Sequence, residues 1–197
     1  SVLFGLIILF VIGFCAVFAP WITSIDPSAI AVRSRLLPPG AEHWLGTDEF
    51  GRDIFTRLIY AGRVSLTVGI GVAIISYFVG SIMGLVSGFF KRLDGPISRL
   101  VDAMMAFPDI LLAISLVAVL GGTVTNVIIA LSIVYTPRIA RIVRASTLVI
   151  RELPYVEASK ALGIGTPTIL FSHILRNIMS PIIVQATFIF AHSMLSE

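Results

Sequence analysis

The side chains best suited to chemistry in this 197-residue chain are its three histidines, eleven carboxylates and single cysteine, and their spacing assembles no common catalytic set. His43, His173 and His192 lie far apart in the sequence. There is no H-E-x-x-H and no paired C-x-x-C, so a metal enzyme is not expected and each histidine reads as a local hydrogen-bonding residue. Cys15 sits inside an apolar run; it has no partner for an intrachain disulfide and reads as a small hydrophobe. No G-x-S-x-G elbow occurs. G-x-x-x-x-G-K-[ST] is also absent, so any ATP used with this chain must be bound by another polypeptide. The expectation is a protein with no catalytic residue, no cofactor and no bound metal.

The exception to this chemical silence is residues 155–177, YVEASKALGIGTPTILFSHILRN, a polar segment between two long apolar runs. Pro154 suits a first helical turn, where its missing N–H would be unpaired. Gly163 suits the left-handed position that ends a helix. Thr166 and Pro167 then read as N-cap and first residue of a second helix. In a chain built for lipid, such a segment offers a surface to something in the water. Glu157, in the first turn, is the carboxylate to single out; as a solvated charge there it would be worth well under about 1 kcal/mol against the helix dipole.

The elements that must carry this segment are apolar. The chain is 57% hydrophobic and 13% charged, with mean hydropathy +1.01, which places it among membrane proteins. Uncharged stretches cover 1–25, 64–90, 110–137 and 177–196, each long enough for the roughly 20 residues of a bilayer crossing. Gly121-Gly122-Thr123 interrupts the third, predicting two helices joined by a tight turn, hence five crossings. Helices are the expected form, because lipid offers backbone polar groups no partner. The fold class is therefore all-α, a polytopic membrane helical bundle. The first run lacks a basic flank and is too long for a cleavable signal peptide. The sequence also starts without Met in apolar residues and stops after the fifth predicted crossing, so it reads as cut at both ends.

Lys and Arg set the sidedness. With the N-terminus inside, Lys91, Arg92, Arg99, Arg138, Arg141, Arg144, Arg151, Lys160 and Arg176 are cytoplasmic, nine of the fourteen basic residues. The positive-inside rule thus predicts N-in, with 155–177 cytoplasmic and the first loop outside. A sequence pI near 9.4 could suggest nucleic acid, but the basic residues gather at membrane edges, where topology accounts for them; no nucleic-acid partner is expected.

Between the first two runs, Asp26-Pro27 and Pro38-Pro39-Gly40 signal turns, and residues 48–60 read as a separate interfacial helix with Asp48–Arg52 and Asp53–Arg57 as four-apart pairs. In the second run Ser76, Gly80, Gly84 and Gly88 repeat every four residues, so small residues share one face for packing within the chain or against a partner membrane subunit. Residues 91–94 read as a loop leading into a third helix that Pro108 bends, with Asp102 and Asp109 near its cytoplasmic end, where capping, an arginine partner or a proton relay are open and a structural role is favoured. Arg138, Arg141 and Arg144, three apart on one face, read as a stripe for membrane lipid phosphates, with carboxylates of a neighbouring protein as the alternative.

Two strings carry a family resemblance. Glu157-Ala158-Ser159, three residues, Gly163, then ten residues to Ile174-Leu175 resembles the EAA loop of permease subunits of binding-protein-dependent ABC importers. Ser159 and Arg176 depart from that pattern, standing where alanine and proline are common. LGTDEFGRDIFTRLIYAGRVSL, residues 45–66, resembles the entry segment of the oligopeptide, dipeptide and nickel branch, in its C-type subunit. The resemblance implies a type I importer transmembrane domain with five helices visible and a sixth truncated. It implies a region 1–61 with the first helix, outer loop and interfacial helix, and a permease core 62–197 with a cytoplasmic coupling loop 152–177. It makes Glu157, Ala158, Ser159 and Gly163 the coupling residues, the glutamate meeting a basic residue of the ATPase. It also implies a second permease subunit, two cytoplasmic ATP-binding subunits that hydrolyse ATP, and an extracytoplasmic substrate-binding protein, assembled in the inner membrane of a prokaryotic cell. The function read from this is the permease half of an ATP-driven importer of di- or oligopeptides. Import of nickel or another small solute is the alternative, and an ATPase-independent secondary transporter or channel a more distant one. No residue is assigned to the translocation pathway.

Overall fold

The computed structural model describes residues 2–196; the expected cut ends, Ser1 and Glu197, lie outside the described residues. The described chain is helical, with an isolated bridge between Thr47 and Asp53. It divides into two compact units, Ser1–Thr67 and Val68–Glu197.

The first unit holds α1 (Val2–Val17), α2 (Ala19–Ile22), a 3₁₀ turn (Val32–Ser34) and the start of α3 (Ile54–Phe89). Residues 48–60 do not form the separate interfacial helix expected from their spacing. The helix starts at Ile54 and continues unbroken to Phe89. Two glycines and two carboxylates explain the boundary. Gly51 has φ +74°, and a Cβ there would lie 1.9 Å from the Ala31 carbonyl oxygen; at Gly46, with φ +75°, it would lie 2.4 Å from that of Leu37. The chain is therefore folded back on itself just before the helix. Asp48 accepts from the backbone N–H groups of Phe50 and Arg52, both at 2.9 Å, and from the guanidinium groups of Arg52 (2.8 Å) and Arg57 (2.6 Å). Asp53 caps α3 by accepting from the Thr56 N–H at 2.7 Å and holds His43 Nδ1 at 2.9 Å. The expected Asp48–Arg52 pair is present, while Arg57 turns to Asp48 because Asp53 is occupied.

The second unit continues α3 and adds α4 (Lys91–Met105), α5 (Asp109–Leu120), α6 (Val124–Ile150), α7 (Pro154–Ala161), α8 (Thr166–Thr168), a π-helical stretch (Ile169–Leu175) and α9 (Arg176–Leu195). By length and apolarity, Ile54–Phe89, Val124–Ile150 and Thr166–Leu195 can each cross a membrane, and α4 with α5 makes a fourth candidate if that pair, bent by 91°, is one span. The count differs from five. α1 is apolar but has 16 residues. α5 has 12, about 18 Å at 1.5 Å per residue, well short of a hydrocarbon core of about 30 Å. Residues 91–94 are helical rather than a loop, and at Pro108 the chain breaks rather than bends. The residue before a proline avoids helical ψ, so α4 ends at Met105 and α5 begins at Asp109. Beyond α5, Gly121 takes φ +95°. Thr123 caps α6 by accepting from the Asn126 N–H, while the Asn126 amide donates to the Leu120 (2.5 Å) and Gly121 (3.2 Å) carbonyls.

Helix α6 is the post of this unit. On one side it receives the small-residue face of α3: Ser76 Oγ donates to the Ser132 carbonyl at 3.4 Å, and a Cβ on Gly80, Gly84 or Gly88 would sit 2.5 to 2.7 Å from Ile139, Val143 or Thr147. This face is occupied within the chain. Toward α4 and α5 the arginine stripe meets three carboxylates. Arg138 pairs with Asp109, Arg141 with Asp102 at 2.7 Å, and Arg144 holds Asp94 through Nε at 2.5 Å and Nη2 at 2.9 Å. The reading of this stripe as a lipid-phosphate contact is thereby corrected. Its pairs close between helices, each guanidinium meeting a carboxylate of α4 or α5.

Replacing Gly84 by Leu should lower the thermal unfolding midpoint of the detergent-purified protein by the equivalent of about 2 to 3 kcal/mol, because overpacking forces two backbones apart. Gly95→Ala, where a Cβ meets nothing within 4 Å, should leave the midpoint unchanged or raise it. In the loop before α3, burial pushes the Asp48 carboxyl up, but the N–H groups of Arg52 and Phe50 and the Arg52 guanidinium outweigh it and hold it down at about 2. A depressed carboxylate stabilises the fold above its unfolded value near 3.8 and loses that contribution as pH falls through its folded value. Amide exchange at Phe50 and Arg52 should therefore stay slow to about pH 4 and accelerate toward pH 2. Asp48→Asn should abolish that transition.

Candidate functional site

Residues 151–178 form a helix-turn-helix whose inner side is bolted down and whose outer side is bare. Leu153 has extended ψ and Pro154 opens α7, so no helical N–H is wasted there. Along α7, Val156 and Ser159 are buried, three residues apart on one face. Val156 joins the cluster of Ile169, Ile174 and Ile178. Ser159, in the position where the pattern has alanine, donates its hydroxyl to the Tyr155 carbonyl at 2.8 Å, so a small side chain fits the buried face without an orphaned polar atom.

The end of α7 is a complete Schellman arrangement. The Gly163 N–H donates to the Lys160 carbonyl and the Ile164 N–H to the Ser159 carbonyl, each at 3.0 Å. Gly163 supplies φ +76°, and a Cβ there would touch nothing within 4 Å. The second helix begins one residue earlier than expected: Gly165 is the cap and Thr166 the first helical residue, with no side-chain capping bond. It passes through the π-helical stretch into α9 without a break, and Arg176 lies exposed within that run.

Three contacts absent from the sequence reading hold the segment in place. Arg151 donates through Nη1 to the Gly88 carbonyl at 2.6 Å, satisfying a terminal acceptor of α3. Lys160 Nζ lies 5.3 Å from the Phe89 ring centroid, a cation–π distance. The Asn177 amide bridges the Tyr155 hydroxyl (3.0 Å) and the His173 carbonyl (2.5 Å), and the Tyr155 and His173 rings pack with centroids 6.1 Å apart. The signal for the first was available: the last carbonyls of α3 need donors, and Arg151 is a cation near a helix end. Nothing in residue spacing announces the other two.

On the other side Glu157 and Ala158 are exposed. The Glu157 carboxylate has no hydrogen-bond or ion-pair partner among the described residues; its backbone N–H donates to the Leu153 carbonyl. Leu162 is 80% exposed beside them. The segment thus presents one free carboxylate, a small residue that allows close approach, and an apolar edge. Of the residues singled out from the sequence, Glu157, Ala158, Ser159 and Gly163 lie together here. Ser76, Gly80 and Gly84 lie along the packing of α3 on α6, and Gly88 links the two groups through its carbonyl. His43 and His192 belong to neither: His192 Nδ1 lies 3.1 Å from the Tyr135 hydroxyl.

Residues 76–197 match the family of binding-protein-dependent transport system inner membrane components. Residues 1–39 match the N-terminal TM domain of oligopeptide transport permease C. A Brucella suis biovar 1 chain that carries the name of a peptide transport system permease protein is 48% identical over 193 residues, 98% of this chain and 65% of its own length. The dipeptide transport system permease protein DppC of Alkalihalophilus pseudofirmus is 45% identical over 192 residues, 97% of this chain and 63% of its own. The di/tripeptide transport system permease protein DppC of Pseudomonas aeruginosa is 42% identical over 198 residues, 97% and 65% of the two. The chain thus spans just under two thirds of the length of these relatives. It belongs to the family of binding-protein-dependent transport system inner membrane components.

Because Gly163 meets no neighbour, its replacement tests backbone conformation alone. Gly163→Ala should cost about 1 to 2 kcal/mol for the left-handed backbone, read as faster amide exchange at Gly163 and Ile164. Gly163→Asn should cost less, since asparagine tolerates that region. Equal effects of the two would mean that the turn is held by something other than its φ.

Proposed function

We propose that this chain forms half of the translocation pathway of an ATP-driven importer and that the outer face of α7 is where the ATPase drives it. The observation that carries this reading is the asymmetry of the segment. Val156 joins the buried core, Lys160 lies over Phe89 and Arg151 holds the Gly88 carbonyl, while the Glu157 and Ala158 side chains stand free. An anchored lever with an unpartnered carboxylate is suited to transmit a push from a cationic cleft into the helices behind it. Through Lys160 on Phe89 and Arg151 on the Gly88 carbonyl, the push reaches α3; through the continuous helical run it reaches α9.

In this account the core is 62–197 with coupling loop 152–177, and 1–61 is an N-terminal region. The N-terminus lies in the cytoplasm of a prokaryote, as the nine basic residues assigned inside favour. The partners are a second permease, two cytoplasmic ATP-binding subunits and an extracytoplasmic substrate-binding protein. The transported class is di- or oligopeptides, supported by the names of the relatives. The mechanism is alternating access. ATP and the loaded binding protein each bind one state of the permease pair better than the other, and only that difference can move the equilibrium.

Glu157→Lys should abolish coupling, because losing a hydrogen-bonded charge pair at a partly desolvated contact and opposing like charges costs about 2 to 5 kcal/mol. Peptide uptake and binding-protein-stimulated ATP hydrolysis by the reconstituted complex should both collapse at unchanged membrane abundance. Wild-type uptake by that variant would sink the assignment.

A further inference from the structure

We infer that α4 is an interfacial helix that binds the headgroups of anionic phospholipids through Arg92 and Arg99. Residues seven apart share a helical face, since seven steps of about 100° return close to the start. That spacing sorts α4 into adjacent stripes. Asp94 and Val101 face inward, the carboxylate on Arg144 and the valine 5% exposed. Leu93 and Leu100, one residue earlier in each turn, are 45% and 54% exposed. Arg92 and Arg99, one earlier again, are exposed, and their guanidinium groups carry no ion pair or hydrogen bond among the described residues. The helix has spent its carboxylates on the arginines of α6: Asp94 on Arg144 and Asp102 on Arg141. The side away from Arg144 is left with cations, with Leu93 beside them and Leu100 at the edge of an open apolar groove formed with Val79 of α3 and Ile133 of α6.

The occupant follows from the combination. A small acidic solute would satisfy the arginines but leave Leu93 and Leu100 wet, and lipid tails alone would satisfy the leucines but not the arginines. The boundary of a bilayer carrying anionic headgroups satisfies both. Geometry agrees: α4 turns through 91° from the apolar α5, so where α5 enters the membrane, α4 runs along its surface. Exposed Phe90 and Phe107 flank the two ends of α4.

The test uses the assembled transporter, in a Cys15→Ala background, in vesicles of phosphatidylcholine with or without phosphatidylglycerol. A nitroxide at Leu93 or Leu100 should collide more with oxygen than with a water-soluble nickel complex, and the signal should be unchanged when the ATP-binding subunits are removed. Arg92→Gln with Arg99→Gln should lower the preference for phosphatidylglycerol over phosphatidylcholine, read from the lipid retained on purification, by about fivefold per arginine at low salt. Labels open to nickel would overturn the inference. So would labels that change only when the ATP-binding subunits leave, since the surface would then belong to a protein partner. Unaltered lipid retention in the double variant would overturn it as well. None of these readouts depends on Glu157 or on uptake, so coupling can fail while this holds.

Discussion

Everything in the second unit depends on how closely α3 can approach α6. In lipid there is no hydrophobic drive to bring two apolar helices together, so their association rests on dispersion at short range and on whatever polar pairs can be closed between them. Gly80, Gly84 and Gly88 remove the side chains that would hold the backbones apart, and Ile139, Val143 and Thr147 fill the space. Toward α4 and α5, α6 spends its arginines on Asp109, Asp102 and Asp94. One helix is thus held by contact with α3 and by charge with α4 and α5. The bidentate, partly buried Arg144–Asp94 pair carries more of that than the exposed Arg141–Asp102 pair, where solvent screens the attraction.

The helix-turn-helix inherits its position from that arrangement. α6 ends at Ile150, and the next residue, Arg151, reaches the Gly88 carbonyl at the foot of the glycine face. The close approach of α3 to α6 and the placement of α7 are therefore one problem. A bulky residue at Gly88 would disturb both. The partition of α7 into an anchored face and a free one follows from the helical period: Val156, Ser159 and Lys160, spaced three and four apart, share one side of a helix of only eight residues, and Glu157 lies off that side.

Much of this was legible in the sequence where a residue type allows few conformations. Gly163 at a helix end, Pro154 at a helix start and the four-residue repeat of small residues each have a narrow physical meaning, and each lies in a matching setting. Legibility failed where the outcome depended on a partner far along the chain. The spacing of Asp53 and Arg57 suits a helical pair, yet Asp53 caps α3 and holds His43, ten residues back. Arg138, Arg141 and Arg144 form a stripe that a lipid surface or a row of carboxylates could equally complete, and only the path of α4 and α5 decides between them. That path turns on Pro108, where a bend and a break look alike in the sequence. Lys160 over Phe89 could not be read at all, because 71 positions of chain separate them.

The central claim is that the free face of α7 is a docking surface, and proximity tests it most directly. Cysteine at Ala158, in a Cys15→Ala background of the assembled transporter, would be treated with a short bifunctional thiol reagent against cysteines placed along the cleft of the ATP-binding subunit. The account predicts an efficient cross-link whose yield changes between the nucleotide-free and ATP-bound states, and protection of Ala158 from a bulky thiol reagent when the ATPase is present. Full reactivity of that position in the complete complex, with no cross-link in either state, would contradict it.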